Sequence, residues 1–107
     1  MKTIKYLPIL VLSLTMIVIN GGCSKNIVDT SSLYTPSNAN VTANATLQDL
    51  QQGRALYIAN CNRCHALVSP DNYSPSQWKS VMSSMAPKTN MSASDIQLVT
   101  KYVSKGL

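Results

Sequence analysis

The sequence predicts an all-α domain, because three segments each combine a helix start signal with an apolar stripe of helical period. These segments begin at Thr46, Ser74 and Ser92, whose side chains are suited to cap a helix N-terminus. The rest of the chain contains no convincing strand pattern, in which apolar and polar residues alternate. A chain of 107 residues is long enough for one domain at most.

The first helix is predicted from Thr46 to about Asn60. Leu50, Gly53 and Tyr57 stand at i, i+3 and i+7 and therefore share one helix face. A glycine inside a helix costs about 1 kcal/mol relative to alanine. Gly53 is therefore expected where another element approaches closely.

The second helix is predicted after Ser74, with Pro75 at the first helical position and Gln77 completing a capping box. Its apolar stripe consists of Trp78, Val81, Met82 and Met85. Pro87 is expected to stop it.

The third helix is predicted after Ser92, with Met91 placed for a hydrophobic staple. Gly106 is expected to end it. Its buried stripe is predicted to be Ile96, Val99, Tyr102 and Val103.

The pentapeptide Cys61-Asn62-Arg63-Cys64-His65 has the Cys-x-x-Cys-His spacing by which haem is attached covalently. On a helix, its two thiols and its imidazole stand at i, i+3 and i+4 and project from one face. Two sulfurs in this arrangement are able to bond to the two vinyl groups of a porphyrin. The imidazole is then close enough to reach the iron.

Two other uses of the motif are weighed against haem attachment. A zinc half-site would need further thiolates or imidazoles, and His65 is the sequence's single histidine. A thioredoxin-type redox pair would need alternating strands and helices, which the pattern does not predict.

The N-terminus has the pattern of an export leader. Lys2 and Lys5 precede an apolar run from 7 to 19, which is too short for an ordinary membrane-spanning helix. Gly21 and Gly22 then precede Cys23, an order that resembles a bacterial lipoprotein signal, with Asn20 where leucine is usual. The resemblance implies a signal peptide over 1–22 and lipid on Cys23, with an uncleaved anchor or a plain secretory peptide as the alternatives.

The use of cysteine agrees with both assignments. Of three cysteines, one is assigned to lipid and two to haem, so that none remains for a disulfide. Residues 23–45 are poor in large apolar side chains, which predicts a flexible tether ahead of a folded domain over 46–107. The alternative is a strand packed on the domain through Ile27, Val28, Leu33 and Tyr34.

Residues 47–107 resemble the single-haem class I cytochromes c, on Gly53 and Tyr57, the Cys-x-x-Cys-His motif, Trp78 and the last helix around Tyr102. The resemblance implies a small fold of about three helices wrapped around one covalent haem c. It also implies that Gly53 and Tyr57 meet Tyr102 where the first and last helices cross.

The resemblance further implies an axial ligand set and neighbours for the porphyrin. His65 is the expected proximal ligand, and Met85, which precedes Ala86-Pro87, is the expected ligand on the opposite side, with Met82 and then Met91 as alternatives. Pro70 is the expected acceptor for the His65 ring N–H, with Pro75 or another carbonyl oxygen as the alternative. Trp78 either faces a haem propionate or is a core aromatic residue.

An iron with both axial positions filled has no open site for a substrate, which indicates an electron carrier and not an enzyme. We expect an exported protein on the periplasmic side, anchored to a membrane by lipid, that serves a dehydrogenase or an oxidase or reductase complex. Its basic residues are scattered, so nucleic-acid binding is not indicated. A haem subunit docked on a larger oxidoreductase and a five-coordinate haem protein that binds small gases are the alternatives.

Overall fold

The computed structural model describes residues 29–107, so the leader and Cys23 lie outside the described residues. Three helices form: α1 (Leu47–Cys61), α2 (Pro75–Met85) and α3 (Ala93–Val103). Single 3₁₀ turns cover Asn38–Asn40, Pro70–Asn72 and Ala86–Lys88. Within 29–107 no strand forms, and Thr42 and Ala45 make an isolated bridge. The prediction of an all-α fold with three helices is confirmed.

Each helix begins at the predicted residue because a side-chain oxygen caps its first free amides. The hydroxyls of Thr46, Ser74 and Ser92 accept hydrogen bonds from backbone amides three residues later. The side chains of Asp49 and Gln77 in turn accept hydrogen bonds from the backbone amides of Thr46 and Ser74, which completes two capping boxes. The local pattern therefore fixes where the helices start.

Helices α1 and α3 form the most extensive helix contact, and they cross at Gly53. A Cβ atom on Gly53 would lie 2.1 Å from the carbonyl oxygen of Leu98 and 2.9 Å from the Cβ of Tyr102. The Tyr57 and Tyr102 rings are 5.9 Å apart between centroids. The predicted meeting of Gly53 and Tyr57 with Tyr102 is confirmed.

The segment before α1 is packed on the helices, in place of the flexible tether predicted for residues 23–45. Leu33 and Ala45 are buried, and the Tyr34 ring stacks on Tyr102 with centroids 4.7 Å apart. Tyr34 and Tyr102 each donate a hydroxyl hydrogen bond to the other's carbonyl oxygen. The prediction is wrong for residues 30–45, because a few well-placed side chains offset the ordering entropy of a mainly polar segment.

The core lies between the three helices and this N-terminal segment. Its buried apolar side chains are Leu33, Tyr57, Trp78, Met82, Val99, Tyr102 and Val103. Met91 packs against this core from the start of α3, as expected of a hydrophobic staple. Among the described helices, none has both the length and the apolar character needed to cross a membrane.

Candidate haem site

A cavity of about 520 Å³ lies where the end of α1, the loop after it and one face of α2 meet. Its volume is in the range of cavities that hold cofactors, roughly 300–1,000 Å³. Its apolar wall is made by Tyr57, Val68, Trp78, Val81, Met82 and Met85. Cys61, Cys64 and His65 line the same cavity. Sequence positions 57 to 85 are thus brought together around one space.

The Cys-x-x-Cys-His motif lies at the end of α1 and not on a continuous helix. Helix α1 ends at Cys61, Asn62 caps it in the right-handed helical region, and turns follow through Cys64. The motif residues nevertheless face one cavity, because nearly helical backbone at Asn62 carries the chain round in the same sense. Cys61 is half-buried, while Cys64 and His65 are exposed.

The surroundings of the two thiols weigh against the other uses of the motif. Cys61 and Cys64 are free, and burial raises the pKa of the Cys61 thiol. A thioredoxin-type pair depends on a lowered pKa, so this environment does not favour it. Within residues 29–107 no three His, Cys, Asp or Glu side chains cluster in a way that could hold a metal ion.

Two of the three candidate methionine ligands reach the cavity. Met82 and Met85 line it from adjacent turns of α2, and Met91 is not among its lining residues. Met82 is 5% exposed and belongs to the core, whereas Met85 is half-buried at the end of the helix. The geometry leaves Met82 and Met85 as the thioethers that face the motif.

The loop after the motif is held by two buried aromatic side chains. The Tyr57 hydroxyl donates to the carbonyl oxygen of Val68 at 2.7 Å and accepts from the Val68 amide at 3.1 Å. The Trp78 indole N–H donates to the carbonyl oxygen of Pro70 at 2.9 Å. Burial raises the pKa of Tyr57 from 10 to about 12, so its hydroxyl keeps its proton further into the alkaline range.

These contacts change the roles expected for Pro70 and Trp78. The Pro70 carbonyl accepts from the indole, and the His65 Nδ1 lies 2.7 Å from the carbonyl oxygen of Ala66 instead. The expected bond from His65 to Pro70 is therefore not formed. Trp78 is 2% exposed with its N–H already bonded, which supports the core-aromatic interpretation over contact with a propionate.

The charged side chains that line the cavity are basic. Arg63 and Lys88 line it, and the described lining includes no carboxylate. Two of the described carboxylates, Asp49 and Asp71, are paired with Lys101 and Lys105. The cavity can therefore accept a ligand that carries negative groups.

Several lining residues were not identified from the sequence. They are Asn60, Arg63, Val68, Tyr73, Lys88, Thr89 and Asn90. For three of them, the position in the sequence indicates a place near the site. Asn60 directly precedes the motif, Arg63 lies inside it, and Lys88 follows Met85-Ala86-Pro87. Nothing in the sequence pointed to Tyr73, whose ring meets Trp78 edge-on with centroids 5.2 Å apart.

The donor set fits a covalently held porphyrin. Two thiols and one imidazole stand at the edge of a largely apolar cavity, and two thioethers line the wall contributed by α2. Thioether bonds through paired cysteines, with histidine and methionine as axial ligands, are the arrangement of c-type haem proteins. The fold and the site therefore define a candidate small α-helical haem protein of the c type.

Part of the chain is similar to two c-type cytochromes. The chain is 33% identical over 55 residues, 51% of its length, to the cytochrome c-type protein TorY of Haemophilus influenzae. It is 33% identical over 42 residues, 39% of its length, to cytochrome c-type protein TorY of Escherichia coli O157:H7. The aligned segments cover 15% and 12% of those two proteins. No family model and no solved structure matches the chain.

Proposed function

We propose that this protein is an electron carrier, a membrane-tethered cytochrome with one haem c attached through Cys61 and Cys64. The observation that carries the proposal is the cavity that gathers both thiols, His65 and the methionines of α2. Similarity to part of two c-type cytochromes supports it independently. Bound haem supplies a one-electron iron couple, and histidine with methionine favours the ferrous state more than two nitrogen ligands do.

The residues around the cavity have distinct tasks in this proposal. His65 and Met85 would hold the haem iron, which would leave no open site for a substrate and restrict the chemistry to outer-sphere electron transfer. Val68, Val81 and Trp78 line the cavity and would keep water from a bound porphyrin. In this proposal, the protein passes electrons between a dehydrogenase or membrane complex and an oxidase or reductase.

Covalent attachment is tested by extraction of the purified protein with acid-acetone. Colour that stays with the polypeptide, together with c-type bands in the reduced visible spectrum, is the expected result. Changing both Cys61→Ala and Cys64→Ala is expected to release the colour or prevent its incorporation. Colour that washes off the unchanged protein would contradict the proposal.

The sixth ligand is tested with Met85→Ala, and Met91→Ala is the matched control because Met91 does not line the cavity. Met85→Ala is expected to abolish the sulfur-to-iron charge-transfer band of the oxidised protein, and Met91→Ala to retain it. A band that survives in Met85→Ala and disappears in Met82→Ala would assign the ligand to Met82.

Carbon monoxide distinguishes the carrier from a gas-binding protein. With the sixth position closed by a thioether, the reduced protein is expected to bind carbon monoxide slowly and weakly, and Met85→Ala to bind it readily. Rapid, tight binding by the unchanged protein would favour the five-coordinate alternative.

A second candidate is a haem subunit docked on a larger oxidoreductase. The short aligned share of the two relatives favours it, since a similar segment there is a small part of a longer c-type protein. Gel filtration after gentle solubilisation of native membranes separates the two candidates. A free carrier elutes near its own mass, and a subunit elutes with its partner.

The proposed location is the periplasmic side of a membrane, with lipid on Cys23 as the anchor. The proposal is supported by the leader pattern and by the compartment in which covalent haem attachment of this kind occurs. Mass spectrometry of the N-terminal peptide tests it. Cys23→Ser is expected to remove the lipid mass and to release the protein from membranes.

A further inference from the structure

Packing of the segment before α1 shortens the chain available as a tether. Cys23 and Asp29 are six positions apart in the sequence, and six residues span at most about 20 Å. A tether that stayed free as far as Thr46 would reach about 80 Å at full extension. Docking of residues 30–45 thus reduces the longest reach about fourfold.

The docked segment is attached near both of its ends, to the helices and to the residues that follow α3. Near its start, Tyr34 stacks on Tyr102, and the Arg54 guanidinium donates to the Tyr34 carbonyl oxygen at 3.2 Å. Near its end, the Thr42 hydroxyl donates to the carbonyl oxygen of Gly106 at 2.7 Å. A Cβ on Gly106 would lie 2.7 Å from the Thr42 hydroxyl oxygen, so the backbone at Gly106 approaches Thr42 closely.

The N-terminal segment contacts the loop that follows the attachment motif. The Ser69 hydroxyl donates to the carbonyl oxygen of Ser32 at 2.9 Å, and Leu33 is buried directly after it. Ser69 follows Val68, which lines the cavity. The N-terminal segment is therefore bonded to the residue that follows one of the cavity's lining residues in the sequence.

We propose that the anchored protein holds its haem cavity near the bilayer and exchanges electrons with a membrane-bound redox protein whose own redox site opens at that surface. This inference rests on the proposed haem and on lipid at Cys23. A short tether restricts the height of the domain above the bilayer. A partner site far above the bilayer is outside its reach.

The height is measured with the full-length, lipidated, haem-loaded protein in liposomes that carry a fluorescent lipid headgroup. Haem close to the surface quenches this fluorescence by energy transfer, so the unchanged protein is expected to quench strongly. A flexible insertion of about 15 Gly and Ser residues between Lys25 and Asn26 adds a span of about 20 Å. It is expected to cause a loss of quenching.

The control for the insertion is the same stretch added after Leu107, which leaves the tether unchanged and is expected to retain full quenching. Release of the segment is tested separately with Tyr34→Ala. This variant is expected to lose quenching and to become sensitive to proteases before α1. Val41→Ala alters an exposed side chain in the same segment and is expected to behave as the unchanged protein.

Electron transfer provides the second readout. In native membranes, the tether insertion is expected to slow reduction or oxidation of the haem, and the C-terminal addition is expected to leave both rates unchanged. Quenching or rates that are insensitive to tether length would overturn the inference. A haem-loaded protein with unmodified Cys23 would also overturn it, while the visible spectrum would show the proposed electron carrier to be intact.

Discussion

Tyr57 shows how one hydroxyl orders the loop after the attachment motif. Its oxygen is both donor and acceptor to the Val68 backbone, and its ring lies between Trp78 and Tyr102. The ring fills the core while the hydroxyl fixes the backbone that passes over the cavity wall. A phenylalanine at this position would fill the core in the same way but would not bond the Val68 backbone.

Tyr57→Phe is therefore expected to destabilise the haem-loaded protein by about 1–3 kcal/mol, because it leaves the partly buried Val68 amide and carbonyl without this partner. Urea unfolding measures the change in free energy. Tyr73→Phe is the matched control, since Tyr73 is 43% exposed, and a change within about 0.5 kcal/mol is expected. Equal stability of the two variants would contradict the argument.

Tyr102 predicts a dependence of stability on alkaline pH. Burial is the main cause that raises its pKa from 10 to about 12, and Arg54 opposes the shift. The unfolded chain loses this proton more readily than the folded chain. The contribution of the neutral Tyr102 hydroxyl to the free energy of unfolding is therefore fully present below pH 10 and is lost between pH 10 and 12.

The measurement is the free energy of unfolding of the haem-loaded protein from pH 8 to pH 12. A decline above pH 10 is expected, and Tyr102→Phe is expected to make it shallower. A stability that stays constant up to pH 12 would be inconsistent with a buried, neutral Tyr102.

At the scale of the helices, the contact between α1 and α3 depends on a missing side chain. Gly53 disfavours an isolated helix by about 1 kcal/mol relative to alanine, yet it lets the Leu98 carbonyl approach α1. The close approach brings Tyr57 and Tyr102 into contact. Packing therefore outweighs helix propensity at this position.

Gly53→Ala is expected to destabilise the protein by about 1–3 kcal/mol, because the new methyl group meets backbone that cannot move aside easily. Gln52→Ala, at the exposed neighbouring position of α1, is the control and is expected to be neutral or slightly stabilising. Thermal unfolding compares the two. A Gly53→Ala variant as stable as Gln52→Ala would refute the role given to the crossing.

At the scale of the whole domain, residues 29–107 form a small helical unit with a cavity between the end of α1 and one face of α2, so the apolar core is thin without a cofactor. A chain of this size usually needs an additional constraint to fold, and a covalently attached haem would join α1 to the opposing face of α2. Cofactor binding and folding are therefore expected to be coupled.

The double variant Cys61→Ala and Cys64→Ala, prepared without haem, is expected to lose most helical circular dichroism and to melt without a cooperative transition. Ser80→Ala with Ser83→Ala, two exposed positions on α2, is the control and is expected to melt cooperatively with haem bound. A native-like, cooperative melt of the haem-free protein would contradict this prediction.

The sequence by itself determined the attachment motif, the three helix starts and the apolar stripes, because capping and helical periodicity act over a few neighbouring residues. It also predicted the meeting of Gly53 and Tyr57 with Tyr102, through resemblance to a family. The tertiary structure alone decided that residues 30–45 pack on the helices and that the Pro70 carbonyl bonds to Trp78. Those outcomes depend on contacts such as Tyr34 with Tyr102, 68 positions apart, for which composition and local pattern carry no signal.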